Sequence, residues 1–212
     1  GHQGWWPANP EAPADQRTME ICLGAILTQN TNWGNVEKAL ARLIDADCMN
    51  LEALHALPKD QLAELIRPAG YFNVKARRVL HFVARVASEA EGDLQAFLDR
   101  PAKALRESLL SIHGIGPETA DSMILYAAGK PSFVIDAYTR RVLDRHRLLD
   151  ASASYDDAKD LFESALPRRV ALWNDYHAQL VAVGKHFCRP TPRCEGCPLE
   201  NFPRDRRSGT RA

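Results

Sequence analysis

The sequence predicts an all-α protein. Apolar residues recur at helical spacing in nine segments, Pro, Gly and Asp signals stand between the segments, and only Ser132–Ile135 reads as a short strand. In chain order the helical segments are Glu20–Leu27, Asn35–Ile44, Lys59–Ile66, Val74–Ala87 and Pro101–Leu110, then Glu118–Ala128, Tyr138–His146, Tyr155–Leu166 and Ala171–Lys185. At 212 residues and 45% hydrophobic content, the chain can bury a sizeable core as one domain or two small lobes. No apolar run approaches membrane length, so a cytoplasmic, reducing location and no membrane partner are expected.

The densest information lies between Leu109 and Asp136. Two apolar-periodic segments meet there at His113-Gly114-Ile115-Gly116-Pro117, which is too short and glycine-rich for anything but a tight turn. Pro117 suits the first turn of the second helix, where a missing N–H costs nothing, and Glu118 complements the positive end of the helix dipole. The amides of Gly114 and Gly116 then face a helix N-terminus that can take a phosphate oxygen, while Ile115 plugs the hairpin into the core. An ordinary helical hairpin would show the same local pattern.

Three separated blocks together resemble the helix-hairpin-helix DNA glycosylase superfamily, in its endonuclease III and 3-methyladenine glycosylase branches. The first is Gly24-Ala25-Ile26-Leu27-Thr28-Gln29-Asn30-Thr31, the second is the hairpin with Phe133-Val134-Ile135-Asp136-Ala137-Tyr138-Thr139-Arg140-Arg141, and the third runs from Gly184 to Cys188 and on to Cys194-Glu195-Gly196-Cys197-Pro198. The resemblance implies a two-lobed all-α fold. Residues 15–130 would form a six-helix barrel carrying the hairpin, and residues 1–14 and 131–212 a helical domain with a cysteine-rich loop, with DNA between them. It further implies a monomeric base-excision enzyme acting on double-stranded DNA that contains a damaged base. Gln29, Asn30, Gly114, Ile115, Gly116 and Thr119 would contact the DNA, Gln29 by entering the base stack. Asp136 matches the catalytic aspartate.

The metal question turns on Cys188, Cys194 and Cys197, three thiols within ten residues after a helix end. Such spacing suits a soft metal or cluster better than a disulfide in a reducing compartment. The family's loop has four cysteines, whereas here the first gap is one residue short and Pro203 occupies the fourth place. A [4Fe-4S] cluster completed by Asp205 is the expectation, with a three-coordinate site, a lost metal, or zinc as the alternatives. Histidine near these thiols is limited in sequence to His186. Cys22 reads as a buried small hydrophobe, and Cys48 lies near a loop.

Mechanism turns on Glu118. Strand-cleaving relatives carry at that position a lysine that forms a Schiff base, which a carboxylate cannot do, so the lyase step should be missing. Lys130 falls past the helix end. Asp136 can stabilise positive charge as the glycosidic bond breaks, and can also serve as the N-cap of the following helix. Trp6, Trp33 and Tyr138 are candidates for a pocket reading a flipped base; Trp5 and Trp6 could equally cap the core. Tryptophan faces favour a cationic alkylated base such as 3-methyladenine, with oxidised pyrimidines as the alternative class. A lesion-binding relative without catalysis also stays open, although binding alone has no use for a carboxylate near phosphates.

Charge is uninformative by itself. The formal net charge is +0, and clusters at Lys75-Arg77-Arg78, Arg140-Arg141-Arg145-Arg147, Arg168-Arg169 and Arg204-Arg206-Arg207-Arg211 read either as solvated faces or as phosphate contacts.

Overall fold

A computed structural model describes Trp6 and residues 11–204, all helix and connecting loop with no strand among them. The helices are α1 (Ala14–Leu27), α2 (Trp33–Asp45), α3 (Leu51–Ala56), α4 (Lys59–Leu65), α5 (Phe72–Ala90), α6 (Leu94–Leu98), α7 (Ala102–Leu110), α8 (Pro117–Ser122), α9 (Ala137–Arg145), α10 (Tyr155–Ala165) and α11 (Val170–His186). They fall into two compact units, one holding α1 to α8 up to Lys130 and the other α9 to α11 and the cysteine loop.

In the first unit α1 is the central helix, because its last turns are apolar on every side. Cys22, Leu23, Ile26 and Leu27 are fully buried, and α2, α5 and α8 pack around them. Burial pushes the Cys22 thiol up to about 12, so it behaves as a small hydrophobe. The surrounding helices bury one stripe each: Val36, Ala39, Leu40 and Leu43 on α2, and Ala76, Val79, Phe82, Val83 and Val86 on α5. Side-chain caps start the short helices, with Asn50 accepting from the N–H of Ala53 at 2.8 Å and Asp93 from that of Ala96 at 3.0 Å. Helices α3 and α6, of six and five residues, are too short to show a helical period in sequence. After Ser122 the second hairpin helix widens into a π turn, Met123–Ala127, where the Ala128 N–H donates to the Met123 carbonyl at 2.9 Å. The single helix expected over Glu118–Ala128 is therefore two register-shifted pieces.

In the second unit, Phe133 stacks on Phe162 with ring centroids 4.1 Å apart and meets Trp173 and Tyr176 edge-on. Helix α10 opens with a reciprocal capping box between Ser154 and Asp157. The strand expected at Ser132–Ile135 is absent. Its residues are buried, but the Phe133 N–H donates to Glu163 Oε1 at 2.8 Å and the Ile135 N–H to the Tyr155 hydroxyl at 3.2 Å, so side chains take the place of a strand partner. Gly184 on α11 is required by packing, since a Cβ there would lie 2.5 Å from Tyr138 Cδ1.

Candidate functional site

The hairpin is braced from both sides. Arg106 on α7 makes two bonds to the fully buried Asp121 on α8, at 3.0 and 3.3 Å, and Ile115 is buried below the turn. The two glycines differ in kind. Gly114 has φ +93° and carries the Arg78 side chain so closely that any Cβ would overlap it, whereas Gly116 caps α8 with open space beside it. Pro117 occupies the first turn of α8, followed by the exposed Glu118.

Gln29 is engaged at every polar atom. Its amide nitrogen donates to the Gly114 carbonyl at 3.2 Å and to the Thr119 hydroxyl at 2.9 Å, while its oxygen accepts from Arg78. The loop after α1, helix α5 and the hairpin are thus tied by one polar chain, and Arg78, read in sequence only as part of a basic cluster, is its link. Asn30 stands exposed at the loop tip with φ +54°. Tyr71, the residue before α5, is also at positive φ and is 71% exposed, and was not singled out by the sequence. Lys75 underlies both loops. Its ammonium donates to the carbonyls of Leu27 at 2.8 Å and Ala69 at 2.7 Å, and burial, helped by the Arg78 charge, lowers it to about 8. It is an internal tie and not a surface charge.

Trp6, Trp33 and Tyr126 form an aromatic cluster in this unit. Trp6 meets Trp33 edge-on at 5.2 Å and Tyr126 at 5.0 Å, and both indoles lie against Gly24, where a Cβ would be 3.1 Å from Trp33. Tyr126 was not expected here, because the π turn sets its direction. Tyr138, grouped with the tryptophans in sequence, lies in the other unit, packed on Gly184 with the Arg141 guanidinium 5.2 Å from its ring centre. Trp5 falls outside the described residues.

Asp136 caps α9. Its Oδ1 accepts from the Thr139 N–H at 2.7 Å, and its Oδ2 stands 3.7 Å from His177 Nε2, with side chains 14% and 6% exposed. Burial alone would raise its pKa, but the opposing His177 and the Thr139 hydrogen bonds outweigh that and hold the carboxyl below its ordinary value. His177 arrives from α11, some forty positions away in the chain, and carries no local signal in sequence.

Cys188, Cys194 and Cys197 line one small pocket, whose wall also carries Arg145, Arg193 and Arg204. Arg145 donates to Cys188 Sγ at 3.2 Å and to the carbonyls of Arg189 and Pro190. Arg140 and Arg141 also spend their guanidinium groups on backbone carbonyls, so these three members of that basic cluster hold the fold together. The donor set does not fit a four-thiolate cluster. The thiols number three, Pro203 takes the fourth place, Asp205 lies outside the described residues, and no three His, Cys, Asp or Glu side chains among the described residues are grouped closely enough to hold an ion as placed. His186 is exposed; the histidine that lines the cavity is His146.

A glycine hairpin, an engaged glutamine loop, an aromatic cluster and a buried capping aspartate on one helical chain define a class: residues 23–168 match the HhH-GPD superfamily of base excision DNA repair proteins, and the chain belongs to that superfamily. It is accordingly a DNA N-glycosylase. Among its relatives, a Methanocaldococcus jannaschii protein assigned as a DNA repair glycosylase is 42% identical over 204 residues, 95% of this chain and 89% of that protein. The structure of the H. pylori 3-methyladenine DNA glycosylase bound to 1,N6-ethenoadenine is 28% identical with a TM-score of 0.70, covering 82% of this chain and 90% of that one. A non-covalent endonuclease III–DNA complex shares the fold at a TM-score of 0.75 and 22% identity, over 93% of this chain and 87% of that one. No described helix is long and apolar enough to cross a membrane.

Proposed function

We propose that this chain is a monofunctional glycosylase that removes an alkylated, positively charged base from double-stranded DNA by hydrolysis. The observation that carries this reading is Glu118 in the first turn of α8: a carboxylate has no amine with which to form a Schiff base at the sugar. The likeness to a 3-methyladenine glycosylase at 28% identity supports the substrate class, as does an aromatic cluster whose π faces suit a cation. In this reading the hairpin amides at Gly114 and Gly116, with Ile115 anchoring the turn, grip a phosphate; Gln29, held on the Gly114 carbonyl and the buried Thr119, and the exposed Asn30 stand beside it; and the target base leaves the stack to meet Trp6 and Trp33.

The chemistry then needs little. The glycosidic electron pair leaves with the base, so a cationic base departs neutral without being protonated, and water adds to C1′. Asp136 stabilises the positive charge that develops on the sugar and accepts the proton that water gives up.

Single-turnover reactions on duplexes carrying 3-methyladenine or an oxidised pyrimidine, worked up with and without alkali and with borohydride, test this. Release of the alkylated base, strand breaks only after alkali, and no borohydride-trapped complex are expected. Preference for the oxidised pyrimidine would move the chain to the endonuclease III substrate class, and strand cleavage without alkali would end the monofunctional reading.

A further inference from the structure

On the reading that the hairpin amides grip a phosphate, we infer a second backbone contact beside them: His81 on α5 and His113 in the turn form a pair that binds a DNA phosphate as the imidazoles take up protons. The first observation is position. Helix α5 lays Arg78 over Gly114 and, one turn on, brings His81 Nδ1 to 3.3 Å from the His113 carbonyl. The two imidazoles meet edge to face with ring centres 5.7 Å apart, and both residues are exposed. His113 directly precedes Gly114, so the pair stands next to the amides that would take a phosphate oxygen. Arg77, one turn before His81 on the same side of α5, is exposed as well.

The second observation is the chemistry of the pair. A carbonyl only accepts, so His81 Nδ1 carries a hydrogen and Nε2 is the atom left to take up a proton. That proton makes His81 a cation and turns Nε2 into a donor, and His113 gains charge in the same way. Two imidazolium charges this close repel, and a phosphate standing against both removes the repulsion, so proton uptake and phosphate binding favour each other. The protein supplies no anion of its own: among the described residues neither imidazole meets a carboxylate. The other charges on these elements are largely spent on one another, Arg78 on Gln29, Arg85 on Glu89, and Arg106 of α7 on Asp121 of α8. The exposed acids Glu107 on α7 and Glu118 on α8 oppose an anion, and protonation of the pair offsets them. With histidine counted neutral the chain has a formal net charge of +0, so two added charges at the contact are a large local change.

The test is fluorescence anisotropy with a short undamaged duplex between about pH 6 and pH 8, at fixed salt and then as a salt titration, for wild type, His81→Gln, His113→Gln, His113→Lys and Gly116→Ala. An undamaged duplex keeps excision out of the readout. Wild type should bind about tenfold more tightly at the acid end, the worth of one charge-assisted contact, and its slope of log K against log salt should steepen there by about one. Each Gln variant should lose most of that pH dependence, and His113→Lys, charged throughout, should keep tight binding at the alkaline end. Both histidines are exposed, so melting temperatures should not move. Gly116→Ala should lose affinity by one factor at every pH. Gln variants that keep the wild-type pH profile, or a wild type without one, would overturn the histidine pair, and a weakened Gly116→Ala would then leave the hairpin grip standing. Gly116→Ala binding as tightly as wild type would remove the grip, and the pair with it.

Discussion

Replacing Asp136 with Asn separates its two duties. As the N-cap of α9 it accepts from the Thr139 N–H at 2.7 Å, and Asn caps about as well as Asp, so that bond survives. The interaction with His177 at 3.7 Å weakens, at a stability cost of about 1 kcal/mol. The catalytic duty does not survive. Loss of one preorganised group that stabilises the transition state costs about 10²–10³ in rate, or about 2.7–4 kcal/mol. Single-turnover excision should therefore fall by at least that factor while the melting curve stays nearly unchanged and DNA affinity is kept. Asp136→Ala should lose the same activity and about 1 kcal/mol more stability, because the cap goes too. Full activity in Asp136→Asn, or a rate loss matched by global unfolding, would refute the division.

Other outcomes follow from named contacts. Gly116→Ala, with open space for the new Cβ, should fold normally and lose affinity equally for damaged and undamaged duplex, whereas Gly114→Ala, at φ +93° and against Arg78, should also lose stability; an effect confined to one lesion, by fluorescence anisotropy, would contradict this. The Asp136 carboxyl is held below its ordinary 3.8, so its NMR titration should midpoint below that value, and the stability it contributes should be present at neutral pH and vanish only as pH falls through the lowered folded pKa. The Lys75 ammonium, lowered from 10.5 to about 8, disfavours folding most when protonated; the stability of wild type relative to Lys75→Met should thus rise by about 3 kcal/mol between pH 8 and 10.5, and a flat difference in denaturant midpoints would reject that assignment.

The hairpin was legible because its determinants are local. Gly114, Gly116 and Pro117 each fix the backbone within a residue or two, and so does Asp136 as a cap. Where a partner comes from far along the chain, sequence falls silent. His177 opposite Asp136, His146 at the cysteine cavity and Arg78 over Gly114 acquire meaning only from packing. Lys75 and Arg145 mislead in the opposite sense: in a string of letters they are surface charge, but the fold turns them inward onto backbone carbonyls. Ser132–Ile135 misleads similarly, since a buried apolar run looks the same whether its amides find a neighbouring strand or the side chains of Glu163 and Tyr155.

The π turn at Met123–Ala127 stores information as a count. One residue in excess of the α repeat shifts the residues within that turn, Tyr126 among them, around the helix axis relative to an unbroken α-helix. Which aromatic ring meets Trp6 is therefore decided as much by how many residues lie between Ser122 and Tyr126 as by what those residues are. Scanning this stretch by substitution would leave the arrangement largely intact and suggest tolerance. Removing a single residue, even one whose replacement is harmless, would let the helix relax to its ordinary pitch and carry Tyr126 away from its partner.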